Sequence, residues 1–589
     1  MDEPKRSIDE LSPGNEVAAT KKQKAKTSAD HAAKEQLALA QLDQGKLQEA
    51  EAIYRDLIAT GTRNHIVYGN LAALCGMQRR LDEAIELFEK ALTMKPNFPD
   101  HHYNLGNALK QKGDRNAAIA SYNIALQLNP NNPEVHNNLG IALKEQGNLT
   151  PAIASFKTAI QLKPNYPEVH INLGTALKEQ GDLTAAIALF NTALQLQPNY
   201  PEAHNKLGIA LKEQGNLTAA ILSFDNALRL NFNYPEVHNN LGTALKEQGD
   251  LTAATASFNT ALRLKPNYPE AHKNLSIAEL LAGHYKRGWK RFEYRFKCMK
   301  EIDILNANPP CKKWSEEKMT QDSQLLVVSE QGLGDTLQFM RYAIHLRRQG
   351  ISVSFCAPKK LHTLVKTSGI DPSPLTPQQA DRVTNGYWIP LLSVPRYLEV
   401  SPSNPIITEP YIKSTEKLCA KWKEILSNEK RPIIGINWQG NPKAEKTGLR
   451  GRSLALETFA PITGNSQISL LSLQKGFGSE QLENCSFKNR FISCQQQVNE
   501  TWDMLETAAI IENCDLVITS DTSVAHLAGG MGKTTWLLLQ IVPDWRWGLD
   551  SENTFWYPSM HLYRQQNRGN WDEVMKRVAG TLHEHFGCS

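Results

Sequence analysis

PEVHNNLGIALKEQGNLTPAIASFKTAIQLKPNY, residues 133–166, is followed by near copies of itself beginning at Pro167, Pro201 and Pro235. Its columns describe a helical hairpin. Leu71, Leu105, Leu139, Leu173, Leu207, Leu241 and Leu275 are each followed by a small residue, where two helices approach closely. Further on, Ala84, Ala118, Ala152, Ala186, Ala220 and Ala254 precede Phe88, Tyr122, Phe156, Phe190, Phe224 and Phe258 by four residues, an apolar stripe at helical spacing. Pro96, Pro130, Pro164, Pro198 and Pro266 end the second helix, because proline lacks the amide donor and clashes with the preceding turn.

The 34-residue period is that of tetratricopeptide repeats. About eight units fit between His31 and Phe296, the last closing on GWKRFEYRF. One unit cannot bury its apolar face alone, so the array is expected to stack into a right-handed solenoid whose concave surface binds protein or peptide. His102, His136, His170, His204, His238 and His272 also recur, but repeats stack too far apart for them to share a metal, and they read as packing positions. A second column holds Asn70, Asn104, Asn138, Asn172, Asn240 and Asn274, broken by Gln36 and Lys206. It resembles the asparagine ladder of the protein O-linked N-acetylglucosamine transferases. An amide both donates and accepts, so such a row can grip a peptide backbone of any sequence; equally, Asn-Leu-Gly is simply common in this repeat type.

Outward from the repeats, 589 residues exceed one hydrophobic core. A net charge of +4 with 21% charged residues supplies no field for nucleic acid. The nine cysteines are odd in number and scattered, with no Cys-x-x-Cys pair, which argues against disulfide frameworks and zinc ribbons. No apolar run of signal-peptide or membrane-spanning length occurs, so the expected place is the cytoplasm. Residues 1–30 read as a polar, disordered tail.

Beyond a connector at 297–322 the pattern changes. Gln324–Ser329 and Ile351–Cys356 are apolar strands flanking EQGLGDTLQFMRYAIHLRRQG (330–350), a glycine turn entering an amphipathic helix. Gly332 and Gly334 allow close approach of an anionic ligand, and Asp335 is either a helix cap or a chemical group. A second strand-helix series starts at Arg431. Its third strand, Cys514–Ser520, runs into DTSVAHLAGG, which sets Asp521, Thr522 and Ser523 at a helix start and His526 one turn on. Ligands collect at such carboxyl strand ends. The plan is thus an N-terminal Rossmann-like lobe at 323–430 and a C-terminal one at 431–583.

The segments EQGLGDTLQFMRY, YWIPLLSVPR, IGINWQGNP, LLSLQKG, SDTSVAHLAGGMGKTTWLLL, PDWRW and WYPSMHLYRQ resemble, in order and spacing, the glycosyltransferase family 9 or heptosyltransferase-like domain. The resemblance implies an α/β GT-B fold of two Rossmann-like lobes behind the α-helical tetratricopeptide solenoid, with a nucleotide sugar as co-substrate and no metal or other cofactor. It implies Asp335 as general base, and Asp521, Thr522 and His526 as the donor-phosphate and sugar motif. Arg452 and Lys475 are candidate partners for the leaving diphosphate. No Asp-x-Asp occurs in the chain. The sequence departs from the family in having Ser523 where Asp-Thr-Gly is common, and heptose-transferring members normally lack repeats, which leaves donor and acceptor open. The alternative is a non-catalytic scaffold with a degenerate nucleotide-sugar domain.

Overall fold

The computed structural model describes residues 29–298, 304–315, 323–442, 445, 451–464 and 467–587; the polar tail lies outside them up to residue 28. The chain divides into two compact units between Asn231 and Phe232.

The first unit is a run of helical hairpins, such as Pro133–Glu145 with Leu149–Leu162 and Pro167–Gln180 with Leu183–Leu196. From Pro99 onward each first helix of this unit begins on a proline, where the missing amide would be unpaired anyway. A left-handed glycine such as Gly181, at φ +100, ends it. The small column has a steric cause. A Cβ at Gly140 would lie 2.6 Å from the Phe156 ring, and one at Gly174 would lie 2.8 Å from Phe190. The histidine column does more than pack. Nε2 of His136, His170 and His204 lies 2.9–3.2 Å from the carbonyls of Pro130, Pro164 and Pro198. A carbonyl only accepts, so each imidazole carries its proton on Nε2 and ties the inter-repeat turn to the next helix.

Near the start of this unit His65 Nδ1 lies 2.9 Å from His101 Nε2, and a Cβ at Gly69 would sit 2.3 Å from the His101 ring. Burial, then His65, pushes His101 down to about 4. The unfolded histidine binds protons more readily, so this site loses stability as pH falls from about 6.5 toward 4, by about 3 kcal/mol in all. Amide exchange across residues 65–105 is expected to accelerate over that window, and acceleration only below pH 4 would exclude His101 as the cause.

The second unit holds the last two hairpins, Pro235–Gln248 with Leu251–Leu264 and Pro269–Leu281 with Tyr285–Phe292, and two parallel sheets. The first sheet contains β1 (Lys312–Lys313), β2 (Gln324–Val328), β3 (Ser352–Cys356) and β4 (Tyr387–Pro390) in the order β1-β4-β2-β3. Between β2 and β3 run α1 (Leu333–Phe339) and α2 (Arg341–Arg348). The second sheet contains β5 (Ile433–Asn437), β6 (Ser469–Ser472), β7 (Leu516–Ser520), β8 (Thr535–Leu539) and β9 (Met560–Arg564), ordered β6-β5-β7-β8-β9. Helix α3 (Met504–Glu512) precedes β7 and α4 (Ser523–Gly530) follows it.

The final hairpin shares the core of this α/β body. Leu280, Tyr285, Trp289 and Phe292 belong to one buried cluster with Val327, Phe355, Leu471 and Leu537 from the two sheets. Trp289 donates its indole N–H to the Val400 carbonyl at 2.9 Å. Arg295, six residues on, forms a two-pronged pair with Glu330 at 2.9 Å for each contact. Its partner is wholly buried, and Glu330 also accepts the Leu392 amide. The last repeat is therefore fastened to the loop between β2 and α1.

Candidate functional site

In the second sheet the strands follow the order second, first, third, fourth, fifth, so the direction in which successive strands are added reverses between β5 and β7. Parallel sheets with this order bind ligands beyond the carboxyl ends of the two strands at the reversal. Asn437 ends β5 and Thr522 caps α4 after β7, and the Thr522 hydroxyl donates to Asn437 Oδ1 at 2.8 Å. The loop after β5 is held by Gln474. Its Oε1 accepts from Asn437 Nδ2 and from the amides of Trp438 and Gln439, while Nε2 donates to the carbonyls of Gln439 and Phe477. One buried amide thus fixes the mouth of the crevice with five bonds.

Asp335 reaches this region from the other sheet. It stands on α1, half-buried, with Oδ2 accepting the Gly332 amide at 3.0 Å and Oδ1 paired with the Arg546 guanidinium. Arg546 also donates to Asp544 at 2.7 Å and to Gln338 Oε1 at 2.6 Å. The two carboxylates therefore share one cation. Burial raises the Asp335 carboxyl above the usual range, with Arg546 and the Gly332 amide opposing and Asp544 reinforcing the rise.

Asp521 completes the group. Burial, then the Asp544 charge, raises it to about 6, against the pull of Arg546 and Arg452. A folded carboxyl raised this far favours the fold while protonated, and that contribution is lost as pH rises from about 3.8 through about 6. Asp521→Asn is therefore expected to flatten the decline in stability of this unit between those pH values, read as urea midpoints across the range. An unchanged slope would remove Asp521 as its source.

The two sequence motifs meet at Gly334 and His526. A Cβ at Gly334 would lie 2.8 Å from His526 Cδ2 and 3.7 Å from the Ser523 Cα, so glycine lets α1 lie against α4. The imidazole is 5% exposed, stacks on Trp547 at 5.5 Å and holds Nδ1 3.0 Å from the Tyr557 hydroxyl. Burial foremost, with Arg546, Arg341 and Arg452, holds it neutral, well below its ordinary value. Arg341, 1% exposed, lies behind it between the Tyr411 and Tyr557 rings and donates to the carbonyls of Gln338, Ile407 and Trp556 and to the Tyr411 hydroxyl.

Of the two cations named from sequence, Arg452 lies at the crevice. It donates to the Asp521 carbonyl at 3.1 Å, and its guanidinium covers Gly440, where a Cβ would meet it at 2.7 Å. A pocket opens among Arg452, Asp521, Leu538, Gln540, Pro543 and Asp544. Lys475 turns elsewhere, donating to the Val498 carbonyl, and burial lowers its ammonium to about 8. Sequence reasoning did not single out Arg546, Asp544 or Asn437. The segment PDWRW carried the first two, and its strand-end position was the available signal.

The final hairpins approach this crevice. Gly249 faces Val542, beside the pocket-lining Pro543, with 3.6 Å between Val542 and a Cβ at that position, and Arg568 donates to the Glu247 carbonyl. Along the repeats the six ladder asparagines are half-buried. Asn70 donates to the Tyr54 hydroxyl, Asn138 to Tyr103 and Asn107, Asn172 to Asn137, and Asn274 to Asn239. Their amide protons thus bridge side chains, in most cases of the preceding repeat.

Among the described residues no cluster of three or more His, Cys, Asp or Glu could hold a metal, and no helix is long and apolar enough to cross a membrane. Residues 78–249 match the TPR repeat family in five overlapping stretches, and 235–268 and 31–56 match tetratricopeptide repeats. Protein FlbA of Caulobacter vibrioides is 25% identical over 334 residues, covering 52% of this chain and 53% of FlbA. The chain thus spans about half the length of that curated relative. Among solved structures, the APC/C hetero-tetramer Cut9-Hcn1 is 21% identical with a TM-score of 0.36, covering 41% of this chain and 48% of that one. Pseudomonas aeruginosa pilF is 22% identical with a TM-score of 0.33, covering 36% and 96%. The N-terminal region is a tetratricopeptide repeat array, which suggests a surface for protein or peptide partners.

Proposed function

We propose that the second unit is a glycosyltransferase of the GT-B plan that moves a sugar from a nucleoside-diphosphate sugar to an acceptor delivered by the repeats. The observation that carries this reading is the meeting of Asp335, from the first sheet's turn, with Asp521 and Asp544 of the second sheet around Arg546. In the proposed inverting reaction Asp335 takes the proton of an acceptor hydroxyl as the oxygen attacks the anomeric carbon and the diphosphate departs. A carboxylate offers about four acceptor positions, so the contacts to Arg546 and Gly332 leave room for that hydroxyl. The amides at the start of α4 and the Arg452 guanidinium receive the diphosphate's charge. Asp521, its carboxyl raised by burial and by Asp544, takes on charge less readily beside that anion than an ordinary aspartate would. His526, neutral and enclosed, acts in this reading by aligning α1 against α4.

The competing reading, a repeat scaffold with a degenerate sugar-nucleotide domain, draws support from the engagement of both Asp335 oxygens. The test is to incubate the full chain with a panel of UDP-, GDP- and ADP-sugars, following nucleoside diphosphate release with and without cell extract. Release with one donor supports the enzyme. Neither binding nor turnover of any donor gives precedence to the scaffold.

A further inference from the structure

We infer that Lys206 makes the repeat surface selective for extended peptides carrying an acidic side chain, an inference that rests on the peptide-binding reading of the repeats. Lys206 stands in the ladder register, 34 residues after Asn172 and 34 before Asn240, where every later neighbour and all but the first unit carry asparagine. It is half-buried on the helix Pro201–Gln214.

The lysines beside it are already matched. Lys144 pairs with Glu179 at 3.5 Å and Lys178 with Glu213 at 3.1 Å, each reaching the next repeat. Among the described residues no carboxylate forms an ion pair with Lys206. Burial foremost, then the charges of Lys144 and Lys178, disfavour its ammonium, with Glu179 in weaker opposition. A row of neutral amides thus contains one cation, half-buried and without a carboxylate of its own, while its lysine neighbours have theirs. A carboxylate on a peptide lying along the row supplies the missing partner. The residues at the same register on either side, Asn172 and Asn240, carry no charge, so discrimination between charged side chains is concentrated at Lys206.

The probes are fluorescein-labelled Ser/Thr/Val peptides with Glu, Gln or Lys at their centre, titrated by anisotropy with the full chain, Lys206→Asn, and Lys157→Asn as an exposed control on a second helix. Asn at 206 reproduces the residue of neighbouring repeats, so the hairpin is retained. The expected result is binding of the Glu peptide about tenfold tighter than the Gln peptide, equivalent to about 1.4 kcal/mol. That preference is lost in Lys206→Asn and kept in Lys157→Asn, while Gln-peptide affinity stays constant. Equal binding of Glu and Gln peptides by the natural chain, or an unchanged preference in Lys206→Asn, overturns the role of Lys206 and leaves the peptide reading standing. Failure of all three peptides to bind overturns both.

Discussion

Arg295→Met is expected to destabilise the second unit by about 3–5 kcal/mol, because it strands the Glu330 carboxylate in a fully buried site. Arg295 is itself 3% exposed and fills its donors with Glu330, Glu293, Ser393 and the Phe292 carbonyl. Removing one member of such a pair leaves a desolvated charge, whereas replacing both can be close to neutral. Arg295→Met with Glu330→Met is accordingly expected to recover most of the loss, measured by urea unfolding of the full chain followed through tryptophan fluorescence. A double variant as unstable as the single one would place the cost in lost packing instead. Because Glu330 lies five residues before Asp335, the single variant is also expected to disturb the Arg546 contact at the crevice.

The second large effect concerns chemistry. Asp335→Asn keeps the shape and an oxygen for the Gly332 amide, but removes the proton acceptor. Under the proposed mechanism transfer falls by about 10²–10⁴-fold, the usual contribution of a positioned general base. Donor affinity changes little, since the lost interaction belongs to the transition state. Calorimetric titration of the donor beside a transfer assay separates the two. Under the same mechanism the acid limb of the natural chain's pH profile is expected above the ordinary aspartate range, because burial raises the Asp335 carboxyl and a general base acts only when ionised. Unaltered turnover in Asp335→Asn would strike this residue from the mechanism.

The hairpins were legible because each column has one steric job repeated many times. Gly140 and Phe156 can be matched from spacing alone. The strands β5 and β7 were also legible, since strands covered on both faces are continuous apolar runs. β1 escaped notice because two residues, Lys312 and Lys313, leave no pattern, β4 because its four residues end on a proline, and β9 because His561 and Arg564 interrupt its apolar run. The crevice was half legible. Asp335 and Asp521 stand at turns with a local signature, but Arg546 is 211 residues from Asp335 and sits among tryptophans, which reads locally as core. The reason for Gly334 was likewise hidden, being the imidazole of His526 on another helix.

The unequal attachment of the repeats has an evolutionary reading. A hairpin of a repeat array touches chiefly its sequence neighbours, so the first unit can gain or lose a whole 34-residue period while each remaining hairpin keeps the same kind of neighbour. The hairpin from Pro269 to Phe292 has no such freedom, because Trp289 and the following Arg295 are part of the α/β body. Descendants of this gene are therefore expected to differ in repeat number through duplication and deletion in the leading array, while inheriting the terminal hairpin and the two sheets as one indivisible cassette.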